Sequence, residues 1–302
     1  MSAEALTSIG LLGLGQMGGA IGRCCLRAGL HVTGYDPSPS ASQALADAGG
    51  ALAHSPAEVA SRERLVLAFL PSVEACEQAI FGPQGVIHGE RITCYVEGST
   101  VGIAAMRSFH TRLAARGIGL ADAPVSGGPR GAQEGRLLVM TAADDGVWAM
   151  LAPVLHAFAR HSVRVGTQPG LAQACKLVNN AMGMAALATA CEAAAVGVAA
   201  GMELGALIEA VNLGTGRSAA TETKFPASII PRSFDYGASM AIAAKDTQLF
   251  CAEAQALGLD VPLAQSVAQA WAQAAAQGGQ RDFTELYLDY ERHYHCAPRP
   301  QD

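Results

Sequence analysis

Charge is scarce in this chain. Only 15% of its 302 residues are Asp, Glu, Lys or Arg, and its 20 lysines and arginines are scattered rather than gathered in a run. With a formal net charge of −6 it has no basic stripe to neutralise phosphates. That counts against a nucleic-acid or anionic-membrane partner and leaves a small molecule as the expected one. Metal-ligand spacing is missing too. The eight cysteines, at 24, 25, 76, 94, 175, 191, 251 and 296, form neither a C-x-x-C pair nor a grouping with histidine. This argues against zinc and for reduced, packed thiols in a cytoplasmic protein. Cys175 has no histidine near it in sequence, so it reads as a helical thiol rather than a nucleophile. The start, Met1 to Thr7, shows neither a basic region nor a cleavable apolar segment, so no export signal is expected. No repeat or low-complexity tract stands out beyond alanine richness.

What the chain does have is apolar residue, half of its length, enough for two packed domains. Short apolar runs at 8–14, 30–35, 64–70, 92–97, 119–123, 137–141 and 162–165 alternate with helical patterns. Each run is continuous rather than alternating, as in strands covered on both faces, and the order predicts a parallel, doubly wound α/β sheet of the Rossmann type. After Gly170 the strand signals stop. Helical segments follow to about Tyr294, with breaks expected at Gly201, 214–216, 226–231, 258–262 and 278–279. The expected organisation is a dinucleotide-binding domain over 1–167, an all-α domain over 168–294 opening with a long interdomain helix, and a disordered tail over 295–302. Residues 178–202 are long and apolar enough to suggest a membrane span. The stretch is alanine-rich, carries Glu192 and lacks flanking anchors, so it reads as a helix buried in protein.

The sequence Gly13-Leu-Gly15-Gln16-Met17-Gly18 follows the first strand run and opens a helix, which is the context a phosphate-binding glycine turn requires. Gly13 permits the tight turn, Gly15 lets a pyrophosphate approach the backbone, and Gly18 lets helix and strand pack closely. The phosphates would then meet free N–H groups at the positive end of the helix dipole. Asp36 ends the second strand run, 21 residues after Gly15. A carboxylate there accepts bonds from ribose hydroxyls and repels a 2′-phosphate, favouring NAD over NADP, although a cap on the next helix is the plainer role for the same residue. Lys176 and Asn180 lie four apart in an apolar helical stretch, so they share a face. Partial desolvation would ease deprotonation of the amine, as a proton-transfer catalyst needs; otherwise Lys176 merely snorkels from the helix end and Asn180 caps a loop.

Together these residues resemble the β-hydroxyacid dehydrogenase family. That family includes 3-hydroxyisobutyrate, tartronate semialdehyde and threonate dehydrogenases and is related to 6-phosphogluconate dehydrogenase. The similarity runs from about Ile9 to about Arg292. Beyond the glycine turn it rests on Asp122-Ala-Pro-Val-Ser126-Gly127-Gly128, on residues 170–180 with Lys176 and Asn180, and on Lys245-Asp246. The resemblance implies that Lys176 is the general acid/base and that Asn180 holds the substrate. It further implies that Ser126, Gly127 and Gly128 cradle a carboxylate, and that Leu70, Pro71, Thr100 and Lys245 line the dinucleotide. Successive N–H groups after Ser126 suit an anion, though a glycine turn leading into a helix has the same composition. Arg217, in Gly-Thr-Gly-Arg-Ser, is a candidate for reading the distal end of the substrate or else a surface cation. Departures from the family are Ala172 where a glycine is usual, one additional residue over 166–170, Thr141-Ala-Ala where two glycines often stand, and Thr247 after Lys-Asp.

The implied activity is NAD-dependent, reversible oxidation of a hydroxyl β to a carboxylate, by a homodimer or homotetramer with no resident metal. Two other readings are an imine reductase, which typically lacks this lysine, and a non-catalytic NAD-binding protein.

Overall fold

In a computed structural model the chain is described over residues 6–295, so residues 296–302 of the expected tail lie outside the described residues. Contacts divide the chain into two compact units, one ending at Lys176 and the other beginning at Leu177.

The first unit is built on nine strands: β1 (Ser8–Leu12), β2 (His31–Tyr35), β3 (Ala51–Leu52), β4 (Leu65–Ala68), β5 (Cys94–Glu97), β6 (Gly119–Asp122), β7 (Val125–Ser126), β8 (Leu137–Ala142) and β9 (Ala159–Gly166). Its helices are α1 (Gln16–Arg27), α2 (Pro39–Asp47), α3 (Pro56–Arg62), α4 (Val73–Phe81), α5 (Ile103–Ala114), α6 (Gly128–Gln133), α7 (Asp145–Leu155) and the start of α8 (Leu171–Ala199). Local signals fix several helix starts. Ser38, Ser55, Ser72 and Asp144 each accept a backbone N–H of the turn they cap, and Pro39 and Pro56 follow two of them.

All seven apolar runs are strands. Six are continuous for the expected cause, because alternate residues enter different cores; the expectation fails for the run at 162–165, which lies in the largely exposed edge strand β9. Ile9, Leu11, Leu65, Leu67, Cys94 and Val96 pack on one face of the sheet with α1 and α7, whereas Leu12, Val66, Ala68 and Tyr95 pack on the other with α3, α4 and α5. The order is β3-β2-β1-β4-β5-β6-β8-β7, with β9 on β8. It reverses between β1 and β4, so the glycine turn leaves β1 at the topological switch point, where sheets of this kind bind their ligands.

The sheet is predominantly parallel, as expected of a doubly wound fold, and departs from that pattern at one end. Strands β1 to β6 are parallel, but β8 runs antiparallel to β6 and to β7, and β9 follows β8 in parallel. The chain between β6 and β8 is occupied by β7 and the six-residue α6, which leaves no crossover helix to bring β8 back in parallel. The two-residue strands β3 and β7 are too short to show in a hydrophobic pattern.

The second unit holds the remainder of α8, then α9 (Leu204–Leu213), a π-helical segment (Ala220–Ile229), α10 (Met240–Ala256), α11 (Pro262–Gly278) and α12 (Leu286–His293). Its core contains Trp271, Phe225, Tyr287, Leu187 and Cys191. Among the described residues its only β pairing is an isolated bridge from Ser239 to Asp282. The break expected at 226–231 comes at the end of that window, after Ile229, and not at Pro226. Pro226 sits inside the π-helical segment, whose wider turn ends with the Ile230 N–H donating to the Phe225 carbonyl at 2.9 Å.

Helix α8 is long and apolar enough to cross a membrane by length and composition. Leu187, Cys191, Ala194 and Ala195 enter the helical core, but Val178, Met182 and Val196 stay 48%, 70% and 56% exposed. The reading of this stretch as buried in protein is therefore corrected: one side is buried and the other is an apolar strip. Nearly every position being apolar hides this two-sidedness from the sequence.

Candidate active site

The glycine turn shows which of its residues serve the fold and which leave room for something else. Gly13 has φ +81°, and its N–H donates to the Tyr35 carbonyl at 3.0 Å. A Cβ on Gly18 would lie 1.9 Å from the Gly13 carbonyl oxygen, so only glycine lets α1 come this close to the turn. Gly15 differs, because a Cβ there would meet nothing within 4 Å. It is the N-cap of α1, and no side chain caps that end. An uncapped helix N-terminus beside an open, side-chain-free position fits a dinucleotide pyrophosphate. Gln16 is exposed and Met17 half-buried at the same helix start.

Neighbouring loops at the carboxyl edge of the parallel strands are tied to this turn. Asp36 Oδ2 accepts the Leu14 N–H and its Oδ1 accepts the Ser38 N–H, both at 2.7 Å. The carboxylate thus braces the turn and precedes α2, while Ser38 is the helix cap itself. Two bonds leave further lone pairs for ribose hydroxyls. The Leu70 N–H donates to Ser99 Oγ at 2.7 Å, which joins the Leu70-Pro71 loop after β4 to the Ser99-Thr100 loop after β5. Beneath them Glu97 is fully buried. It accepts from the Ser99 N–H at 2.9 Å and from the Tyr95 hydroxyl at 3.2 Å. Burial pushes its carboxyl up to about 7 against the pull of those hydrogen bonds.

The Ser126 segment begins one strand further along the sheet. Ser126 is the last residue of β7, Gly127 (φ +131°) and Gly128 (φ +64°) are exposed, and α6 starts at Gly128. A Cβ on Gly128 would again meet nothing within 4 Å. The first residue of the same motif, Asp122, points inward and is fully buried. Its Oδ2 accepts the N–H groups of Gly170, Ala172 and Gln173 at 2.9, 3.1 and 3.2 Å, so it caps the start of α8 from another strand. Gln173 completes the attachment by donating to Asp122 Oδ1 and to the Ser99 carbonyl, and by accepting from the Val101 and Gly102 N–H groups. Lys176, half-buried, follows three residues later on α8. These bonds bring the start of the lysine helix to the same sheet edge as the glycine turn and the Thr100 loop.

In the second unit Asn180 is buried, and its δ-amide donates to Asp246 Oδ2 at 2.7 Å. Lys245 is 46% exposed and pairs with Asp246 at 3.2 Å. Thr247 donates to the Ala243 carbonyl within α10, so this departure from the family is absorbed by the helix. Arg217 is exposed and pairs with Glu222 at 3.6 Å. Among the described residues no group of three or more His, Cys, Asp or Glu is placed to hold a metal.

Sequence reading assigned no role to Asp122, Gln173 or Glu97. A hydrophobic run ending in an acid, as in β5 and β6, was the available signal, because a charged residue closing a buried strand needs partners.

A glycine turn at the sheet reversal, followed by a lysine-bearing helix and an all-α unit, is the layout of a nicotinamide-dependent oxidoreductase. Residues 8–166 match the NAD-binding domain of 6-phosphogluconate dehydrogenase, and residues 170–289 match the NAD-binding domain of NADP-dependent 3-hydroxyisobutyrate dehydrogenase. The L-threonate dehydrogenase of Escherichia coli O6:H1 is 30% identical over 277 residues, 91% of each chain. The 2-(hydroxymethyl)glutarate dehydrogenase of Eubacterium barkeri is 28% identical over 291 residues, 96% of each chain. The structure of Mycobacterium tuberculosis 3-hydroxyisobutyrate dehydrogenase with L-serine superposes with a TM-score of 0.85 at 28% identity, covering 94% of this chain and 99% of that one. The chain belongs to the β-hydroxyacid dehydrogenase family, and it is an oxidoreductase acting on a small hydroxy acid.

Proposed function

We propose that the enzyme uses NAD in preference to NADP to oxidise, reversibly, the β-hydroxyl of a small carboxylic acid, with Lys176 as general acid/base. The observation carrying this reading is the hydrogen-bonded attachment of the first turn of α8 to Asp122 and to residues 99–102, which ties the lysine helix to the loops beside the glycine turn. Gly13, Gly15, Gln16, Met17 and Gly18 would hold the pyrophosphate, Asp36 the ribose, and Leu70, Pro71, Thr100 and Lys245 the remainder of the dinucleotide. When bound, that cofactor supplies the hydride acceptor or donor.

The chain's own residues handle the substrate. Ser126, Gly127 and Gly128 hold its carboxylate through a hydroxyl and successive N–H groups. Neutral Lys176 takes the proton of the substrate hydroxyl during oxidation, and protonated Lys176 returns it in reduction. Asn180, one helical turn along α8 and fixed by Asp246, holds a substrate oxygen. Arg217 reads a distal polar group. Its pairing with Glu222 is solvent-exposed and costs little to open. The apolar strip of Val178, Met182 and Val196 on α8 would be covered by a second copy of the chain, in a homodimer or homotetramer.

Substrates named for the relatives, threonate, 3-hydroxyisobutyrate and 2-(hydroxymethyl)glutarate, are small acids bearing a hydroxyl, and they define the panel to assay. The test is an NAD-linked spectrophotometric screen of C3 to C6 hydroxy acids, run in parallel on Lys176→Ala. Loss of a general acid/base should lower turnover by roughly 10²–10⁴-fold while NADH still binds. Near-normal turnover by the alanine variant at saturating NAD would refute the assignment. A cyclic imine in the same screen separates the imine reductase reading, against which the presence of Lys176 already weighs.

A further inference from the structure

We infer that Asp122 and Gln173 are positioning residues that set the rotation and axial register of the first turn of α8, and with it the location of the Lys176 amine. The inference rests on the reading of Lys176 as the acid/base and extends it to the residues that aim it.

The first N–H groups of a helix have no partners within it, and a helix usually begins with a side chain that accepts one of them. Here the residue before α8 is Gly170, which has no side chain and holds φ +94°. The acceptor comes instead from β6. Asp122 Oδ2 takes the N–H groups of Gly170, Ala172 and Gln173, which lie 48 to 51 residues away in sequence. Gln173 has no exposed surface, and its carboxamide makes four bonds. Nε2 donates to Asp122 Oδ1 at 3.0 Å and to the Ser99 carbonyl at 3.1 Å, while Oε1 accepts from Val101 at 2.9 Å and Gly102 at 3.1 Å.

Two features distinguish this arrangement from ordinary helix capping. The bonds reach two different strand ends, and the loop they hold, residues 99–102, contains Thr100 from the proposed cofactor set. Gln173 and Lys176 are also i,i+3 neighbours, so locking one limits where the other can point. Any rotation of the first turn would break several buried bonds at once. Reactions that depend on alignment can lose about 10²-fold from a displacement near 1 Å. Asp122 also opens the segment that ends in Ser126, Gly127 and Gly128, so one strand end supplies both the acid-binding loop and the brace for the lysine.

The test compares wild type, Asp122→Asn and Lys176→Ala in the hydroxy acid panel, with NADH affinity by fluorescence and hydrogen exchange of the peptide spanning 168–176. Asparagine keeps the size but puts an N–H donor or a weaker acceptor against three N–H groups. The expected result is a kcat at least tenfold lower, an NADH Kd within threefold of wild type, and faster exchange over 168–176. A D122N enzyme with wild-type kcat, or one slowed without any change in exchange over 168–176, overturns the inference while leaving Lys176 as the acid/base. An active K176A enzyme overturns the functional reading instead. If no panel member is turned over by wild type, exchange decides the inference by itself, and unchanged protection refutes it. Should D122N not accumulate as folded protein, Gln173→Met carries the same expectations and is refuted by the same outcomes.

Discussion

Two glycines three residues apart in one turn should respond oppositely to alanine, and the contrast tests whether the turn holds a cofactor. At Gly15 the backbone is extended with φ −66°, and no atom lies within 4 Å of an added Cβ. Alanine is therefore accommodated, and the loss of unfolded-state freedom should raise stability by about 0.4–1 kcal/mol. In a unit of this size that corresponds to a Tm higher by roughly 1–4 °C. The same methyl group occupies the space proposed for the pyrophosphate, so NADH affinity should fall at least about tenfold, or about 1.4 kcal/mol. At Gly18 the added Cβ lies 1.9 Å from the Gly13 carbonyl oxygen, and this contact is with backbone that cannot swing aside. Forcing α1 from the turn should cost about 1–3 kcal/mol and lower the Tm by several degrees. Urea or thermal unfolding followed by circular dichroism reports the first quantity, and NADH fluorescence titration the second. A Gly15→Ala protein that binds NADH as tightly as wild type, or that unfolds before Gly18→Ala, would refute the reasoning.

Glu97 gives a pH-dependent prediction. Its carboxyl is raised from 4.5 to about 7, so the folded state holds the proton more tightly than the unfolded state and stability falls as pH rises across that window. Glu97→Gln lacks this term, and its stability relative to wild type should improve by about 2–3 kcal/mol between pH 5 and pH 8. An offset from wild type that is constant across those pH values would show that Glu97 is not the buried acid described. Asp36 predicts cofactor choice. Asp36→Asn keeps an acceptor for Leu14 but removes the charge facing a 2′-phosphate, so the NAD to NADP ratio of kcat/KM should drop by about tenfold or more. An unchanged ratio would move that discrimination to another residue.

The parts legible in the sequence were those governed by neighbours along the chain. Continuous apolar runs marked six strands because each is covered on both faces, while the seventh, in β9, is an edge strand whose Val163 is 49% exposed. The glycine turn opening α1 was legible because its spacing is set within six residues, and the placement of Lys176 and Asn180 one turn apart on α8 because helical periodicity is local.

Other features depend on residues distant in sequence. The antiparallel return of β8 follows from how the segment between Asp122 and Leu137 folds, and the π-helical segment absorbed a proline that locally reads as a break. Asp246 reaches Asn180 across 66 positions, and Asp122 reaches the start of α8 across about 50. A buried carboxylate must find donors wherever the fold brings them, and nothing in its own sequence neighbourhood says which N–H groups those are. The sequence alone determined which chemical groups the enzyme carries and the elements that bear them, since periodicity, capping and turn geometry are short-range. Only the tertiary structure decided which buried acids brace the lysine helix and which glycine leaves its space open, because hydrogen bonding and steric exclusion act between segments that chain order keeps apart.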